Sequence, residues 1–97
     1  MPSNKIKKEI KYRSIIIKLY EIKLEKVIER NESVANIQAF DLRGNLLWTI
    51  QPPTFSTLYF DMQIDEEKDI LEADSGSGQV YEIDLKNGHN LRSEFRR

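Results

Sequence analysis

Phe40-Asp41-Leu42-Arg43-Gly44-Asn45-Leu46-Leu47-Trp48 reads as a strand, a tight turn and a returning strand. Ile83-Asp84-Leu85-Lys86-Asn87-Gly88-His89-Asn90-Leu91 repeats it, with the aspartate 43 positions on. In each copy an apolar residue before Asp-Leu ends a strand, the Asp and Gly supply the turn, and an apolar residue beyond starts the return. A repeat of this length falls in the range of β-repeat units, so the pair decides the fold class: all-β, built from antiparallel hairpins.

Working outward, residues 34–42 form a strand, Arg43-Gly44 turns the chain, and residues 45–51 return with Leu46, Trp48 and Ile50 on one face. Pro52-Pro53 then stops the ladder, because proline has no N–H to donate. Leu58, Phe60, Met62 and Ile64 alternate with Tyr59, Asp61, Gln63 and Asp65, the pattern of a half-buried strand. A turn over 65–68, a short strand over 69–74 and the turn Ser75-Gly76-Ser77-Gly78 follow. Residues 79–85 place Tyr81 and Ile83 on one face, Asn87-Gly88 turns the chain, and residues 90–95 close it. The expectation is seven or eight short strands in an antiparallel meander. It forms one domain over residues 1–97, with hairpin units at 33–51 and 79–95.

The N-terminal third is less clear. Residues 1–5 read as a flexible tail, and between Lys5 and Asn31 there is neither Gly nor Pro. The alternation Ile15, Ile17, Leu19 and the β-branched run Ile15-Ile16-Ile17 favour a strand. Ile16, Leu19, Tyr20, Val27 and Ile28 instead share one face of a helix, with Lys23 breaking the stripe. Strands are the chosen reading; a helix across part of 16–29 is the alternative.

A chain of 97 residues is long enough for one core and little more. Its 39% hydrophobic and 32% charged content describes a folded protein with a thin core and a solvated surface. With no cysteine, disulfides and thiolate metal sites are excluded and stability rests on packing and strand pairing. The basic start leads into only three consecutive apolar residues, short of a signal-peptide core, and no stretch reaches membrane-spanning length. A cytoplasmic location is the expectation.

The net charge of −1 conceals a segregation. Residues 1–30 carry nine Lys/Arg against four acids, and residues 61–84 carry nine acids against one Lys. Two outcomes follow: a dipolar surface that pairs with a charged partner or a second copy, or opposite blocks on adjacent strands that neutralise each other.

Ala39, Asp41, Gly44 and Trp48 resemble the blade motif of propellers of the pyrroloquinoline-quinone dehydrogenase type, Ala-x-Asp-x-x-x-Gly-x-x-x-Trp, with one residue fewer in the turn. The second copy keeps Asp84 and Gly88 but has Glu82 at the Ala position and Arg92 at the Trp position. About a tenth of the chain matches. The resemblance implies how the hairpin is built and carries no cofactor site, since two blade-like units do not close a ring. The same hairpin wording is also similar to small stand-alone bacterial β proteins of unknown function, some of which act as immunity or adaptor partners.

Asp61, Asp65, Glu66, Glu67, Asp69, Glu72 and Asp74 are the dense carboxylate cluster. A calcium loop needs ligands at alternate positions and a glycine at the bend, which 61–74 lacks. Ser75-Gly76-Ser77-Gly78 is followed by a strand and no Gly-Lys-Ser/Thr, so it is a hairpin rather than a phosphate loop. His89 is the only histidine, in a turn, and no serine has an accompanying base motif. Trp48, Phe40, Tyr59, Phe60 and Tyr81 fit the core and its rim better than a ligand platform.

The expected function is a non-enzymatic protein-interaction module with no cofactor and no metal. Asp65, Glu66, Glu67 and Asp69 face a basic protein partner in this reading, and homodimerisation through open strand edges is a further expectation. The competing readings are an anionic-surface or nucleic-acid binder using Lys5, Lys7, Lys8, Lys11 and Arg13, and an enzyme with the carboxylate pair Asp61 and Asp65.

Overall fold

The computed structural model describes residues 5–22, 34–53, 58–76 and 78–95. Among them are eight strands: β1 (Ile6–Tyr12), β2 (Ile15–Tyr20), β3 (Ile37–Asp41), β4 (Leu46–Thr49), β5 (Asp61–Asp65), β6 (Ile70–Asp74), β7 (Gln79–Asp84) and β8 (Asn90–Phe95). They form two four-stranded sheets, β1-β2-β3-β4 and β5-β6-β7-β8, each antiparallel between sequence neighbours. The all-β meander read from the sequence is what the described residues adopt, divided into two layers.

The core lies between the layers. Ile17, Leu19, Ile37, Ala39, Trp48 and Ile50 from the first sheet meet Tyr59, Met62, Leu71, Ala73, Tyr81 and Ile83 from the second and its entry. The thinnest dimension, 18 Å, fits two sheets about 10 Å apart with their outer side chains. Tyr59 and Tyr81 meet edge to face at 5.7 Å and 87°, the arrangement the ring quadrupoles favour. Burial also raises the Tyr59 phenol above its ordinary pKa, with Tyr81 adding to the shift. Its hydroxyl donates to the Gln51 carbonyl at 2.6 Å.

The hairpin turns are set by their aspartates. Asp41 Oδ1 accepts from the Arg43 and Asn45 N–H groups, both at 2.9 Å, and Asp84 Oδ1 accepts from the Lys86 N–H at 2.8 Å. These are Asx-type contacts, which bend the backbone without a partner strand. The Asp41 N–H donates to the Asn45 carbonyl and the Asp84 N–H to the His89 carbonyl, so Gly44 and Gly88 occupy matching places despite one extra residue in the second turn. Both glycines have positive φ, 90° and 76°.

The two sheets correspond strand for strand. Ala39 pairs with Trp48 and Phe40 with Leu46, leaving Leu47 as a bulge; Glu82 pairs with Arg92 and Ile83 with Asn90, leaving Leu91 as a bulge. Extended through the registers, the row Ile10–Ile17–Ala39–Trp48 in the first sheet matches Gln63–Glu72–Glu82–Arg92 in the second. The first row lies on the core side. The second lies on the outer side, because Leu71, Ala73, Tyr81 and Ile83 at the alternate positions fill the core. The two units therefore stack in the same sense, the row-bearing face of one against the opposite face of the other.

Several expectations change. Residues 15–20 are strand, so the helix alternative fails there; the β-branched triplet and cross-strand pairing on both sides of β2 decide it. Residues 23–29, the remainder of that alternative, lie outside the described residues, as do residues 1–4 of the expected tail over 1–5. Leu46 does not share a face with Trp48 and Ile50, since the Leu47 bulge resets the alternation. The strand expected from Leu58 begins at Asp61. Tyr59 is buried and Phe60 exposed, the reverse of the alternating pattern. Buried Asn36 explains the break: its Nδ2 donates to the Tyr20 and Tyr59 carbonyls and its Oδ1 accepts the Tyr59 N–H, which pins Tyr59 inward.

Candidate interaction face

The basic and acidic blocks meet along a seam where β1 lies against β5. Lys8 Nζ donates to Asp61 Oδ1 at 2.9 Å and to the Met62 carbonyl at 2.6 Å, and Lys7 Nζ donates to the Phe60 carbonyl at 2.7 Å. The Lys8 hydrogen bond, with the Met62 N–H and the two lysine charges, holds the Asp61 carboxyl below its ordinary pKa. At the far end of the seam, Asp69 accepts from the Tyr12 hydroxyl at 2.8 Å and lies 3.3 Å from the Arg13 guanidinium. That hydrogen bond to Asp69 is the main reason the Tyr12 phenol titrates above its usual range. Of the two outcomes the charge segregation allowed, neutralisation between neighbouring strands is the one seen along this seam.

The four acids singled out from the sequence thus divide. Asp65 sits at the end of β5, its Oδ1 accepting from the Glu67 and Lys68 N–H groups, so it shapes the β5–β6 turn. Asp69, at φ 57°, is held by the β1–β2 hairpin. Glu66 and Glu67 are exposed at the turn. Of the basic residues in the competing reading, Lys7, Lys8 and Arg13 are directed at the second sheet and its turn, while Lys5 and Lys11 are exposed. Asp61 and Asp65 share the outer face of β5, and the first is engaged by Lys8. No group of three or more His, Cys, Asp or Glu side chains able to hold a metal occurs among the described residues.

Further acids lie on the outer face of the second sheet, beside Ile70 and Val80, which are only 7% and 9% exposed. Asp61, Asp65, Glu72, Asp74, Glu82 and Asp84 all take outward positions on β5, β6 and β7. Glu72 and Glu82 are directly opposite one another and only 7% and 6% exposed. Like charges facing each other across a ladder repel, and burial removes the water that would screen them. Local partners offset this: Gln63 Nε2 donates to Glu72 Oε1 at 2.7 Å, and Lys68 Nζ lies 3.2 Å from Glu82 Oε2. Arg92 completes the row, its side chain 60% exposed and its guanidinium 3.2 Å from the Glu94 carboxylate.

The outer face of the first sheet is different in kind. Glu9, Lys11, Ile16, Lys18 and Phe40 point outward there, with the Lys18 ammonium 4.9 Å from the Phe40 ring centre. One face of the molecule is rich in carboxylates and the other combines cations with half-buried apolar groups.

Residues 2–95 match the family described as Domain of unknown function (DUF7957). The chain belongs to that family. No curated protein and no solved structure matches it. In this DUF7957 chain, sequence reasoning missed the face formed by Gln63, Glu72, Glu82 and Arg92, although one signal was present. The second hairpin departs from the first by placing Glu82 and Arg92 where Ala39 and Trp48 stand. Charged residues substituted at core positions of a repeat mark a face that has turned outward.

Proposed function

We propose that this DUF7957 domain is a non-enzymatic protein-interaction module that docks a basic partner at its acidic β5–β6 turn. The observation that carries the reading is the exposed pair Glu66 and Glu67, presented on a turn shaped by Asp65, whose carboxylate accepts from the Glu67 and Lys68 N–H groups. Charges exposed on such a rim mainly speed encounter with an oppositely charged partner. The lysines of β1 support this choice over nucleic-acid binding, since two of the three, Lys7 and Lys8, are engaged on the seam.

A cytoplasmic site of action and a blade-like construction of each four-strand unit belong to the same proposal. The matching turns, matching bulges and same-sense stacking support the second point.

Fluorescence anisotropy with a fluorescein-labelled lysine octapeptide tests the docking reading. Wild-type protein should bind it at low ionic strength and more weakly as salt rises. The double variant Glu66→Lys, Glu67→Lys should lose about tenfold in affinity. Equal binding by wild type and this variant would refute the proposed site.

A further inference from the structure

Among the described residues, two four-stranded sheets present four edge strands, β1 and β4 in the first and β5 and β8 in the second. An unpaired edge is a template for another strand, and proteins blunt the edges they do not use. Three of the four are blunted here. β1 and β5 lie against each other: the Lys7 and Lys8 ammonium groups donate to the Phe60 and Met62 carbonyls, and Asp61 Oδ1 accepts the Met62 N–H. β4 is four residues long, carries the Leu47 bulge and runs on to Gln51, whose N–H donates to the Gly88 carbonyl at 3.0 Å. β8 differs. Leu91, Arg92 and Ser93 are exposed, and its bulge sits near one end, leaving residues 92–95 in unbroken register with β7.

The ladder fixes which backbone groups of β8 face outward. In an antiparallel sheet the N–H and C=O groups of successive residues point to opposite neighbours. The Gln79 carbonyl accepts the Ser75 N–H on the β6 side, and the Asp84 N–H donates to the His89 carbonyl on the β8 side. Val80 and Glu82 therefore bond toward β8, through their register partners Glu94 and Arg92. Ser93, between those two, turns its N–H and C=O away from β7 to the open edge.

The sequence around Ser93 is self-complementary. Run antiparallel against itself about a two-fold axis at this residue, the strand sets Ser93 opposite Ser93, Arg92 opposite Glu94 and Leu91 opposite Phe95 of the other copy. The Arg92–Glu94 pairs then fall at non-hydrogen-bonded positions, where Cα atoms approach to about 4.5 Å and side chains interact most closely. Within the chain the Arg92 guanidinium already lies 3.2 Å from the Glu94 carboxylate, so both side chains are on the face that the cross-strand pair needs.

We infer that the chain forms an isologous dimer through β8, two copies joined as one eight-stranded antiparallel sheet with reciprocal Ser93 backbone hydrogen bonds at its centre. The two-fold axis repeats the Arg92–Glu94 contact on both sides. Because β5 and β8 are opposite edges of the sheet, the β5–β6 turn with Glu66 and Glu67 stays accessible in the dimer.

Ser93→Pro separates edge pairing from folding. Proline deletes an N–H that the chain itself turns outward, and its ring obstructs an approaching strand. In light scattering on a size-exclusion column, the wild-type mass should climb with concentration toward twice that of the monomer. Ser93→Pro, with its folding checked by circular dichroism, should dimerise at least about tenfold more weakly. The charges give an independent test if the proline variant does not fold. Arg92→Glu opposes two carboxylates and Glu94→Arg two guanidinium groups, so each alone should weaken the dimer. The double variant Arg92→Glu, Glu94→Arg restores opposite charges at both contacts and should dimerise like the wild type. Hydrogen exchange needs no substitution: the Ser93 amide of the wild type should exchange more slowly as concentration rises. A wild-type monomer at every concentration, a dimer indifferent to Ser93→Pro, or a folded double variant that stays monomeric would each overturn the inference.

Discussion

Ile10–Ile17–Ala39–Trp48 and Gln63–Glu72–Glu82–Arg92 occupy the same places in two four-stranded units of one chain, yet one row faces the core between the sheets and the other faces away from it. Backbone geometry is shared: an Asx-shaped turn, a positive-φ glycine and a one-residue bulge in the last strand. What differs is which side meets another layer. The comparison separates what the hairpin needs in order to turn, Asp and Gly, from what its neighbour demands of it, apolar or charged side chains. Repetition in sequence survives at the first set of positions and is lost at the second.

Substitution at matched sites is the strongest way to break this comparison. Trp48→Ala removes a 6% exposed ring and its hydrogen bond to Leu85, and should destabilise the fold by about 3–5 kcal/mol in urea titrations. Arg92→Ala, at the equivalent place, should change the stability of the isolated chain by less than about 0.5 kcal/mol. The glycines make the same test from the other side. Gly88→Ala combines left-handed strain with a collision against Trp48 and should cost about 3–5 kcal/mol, while Gly44→Ala meets only the backbone strain, about 1–2 kcal/mol. Equal losses in either pair would show that the two rows are not in opposed environments.

Asn36→Ala comes next. It leaves the Tyr59 N–H and two carbonyls without their partner and should lower stability by about 2–3 kcal/mol, with the Tyr59 environment reporting the change in near-ultraviolet dichroism.

The pH profile sharpens the contrast between face and seam. Asp61 and Asp41 both have folded pKa values below the ordinary carboxylate, the first through the Lys8 hydrogen bond and the second through the Asn45 N–H and amide. A depressed carboxylate contributes stability that is present above its unfolded value, about 4, and is lost as pH falls through the folded value. Thermal midpoints should therefore drop in acid below about pH 4. Asp61→Asn should flatten part of that drop, with Lys7, Lys8 and the cross-strand Asp74 as the other charged groups around it.

Lys8→Ala at neutral pH should also have a small effect. Its ion pair is 40% and 65% exposed, so the loss should stay below about 1 kcal/mol and shrink further with salt.

Much of the fold is legible in the sequence because hairpins are written locally. Asp41 and Asp84 each satisfy the turn backbone two residues on, and Gly44 and Gly88 supply the positive φ. The Ile15-Ile16-Ile17 run likewise becomes strand under its own β preference. The candidate face was harder to see. A bulge at Leu47 shifts the alternation by one without any Gly or Pro to announce it, so Leu46 looks like a core residue and is not. Asn36 acts across 23 positions on Tyr59, a contact that no local pattern encodes. Glu72 and Glu82 are ten residues apart in an acidic stretch, and only the register makes them a pair.

One consequence of the pairing order concerns how the chain folds. Every strand in both sheets pairs only with its neighbour in sequence, and the β5–β8 turns span few residues. The β2–β3 connection instead spans the 16 positions 21–36, so bringing its ends together carries a larger closure entropy. The β5–β8 unit is therefore the faster nucleus, and the first sheet completes on it as a template. Substitutions within β6 and β7 should slow refolding, and those in β1 should chiefly hasten unfolding.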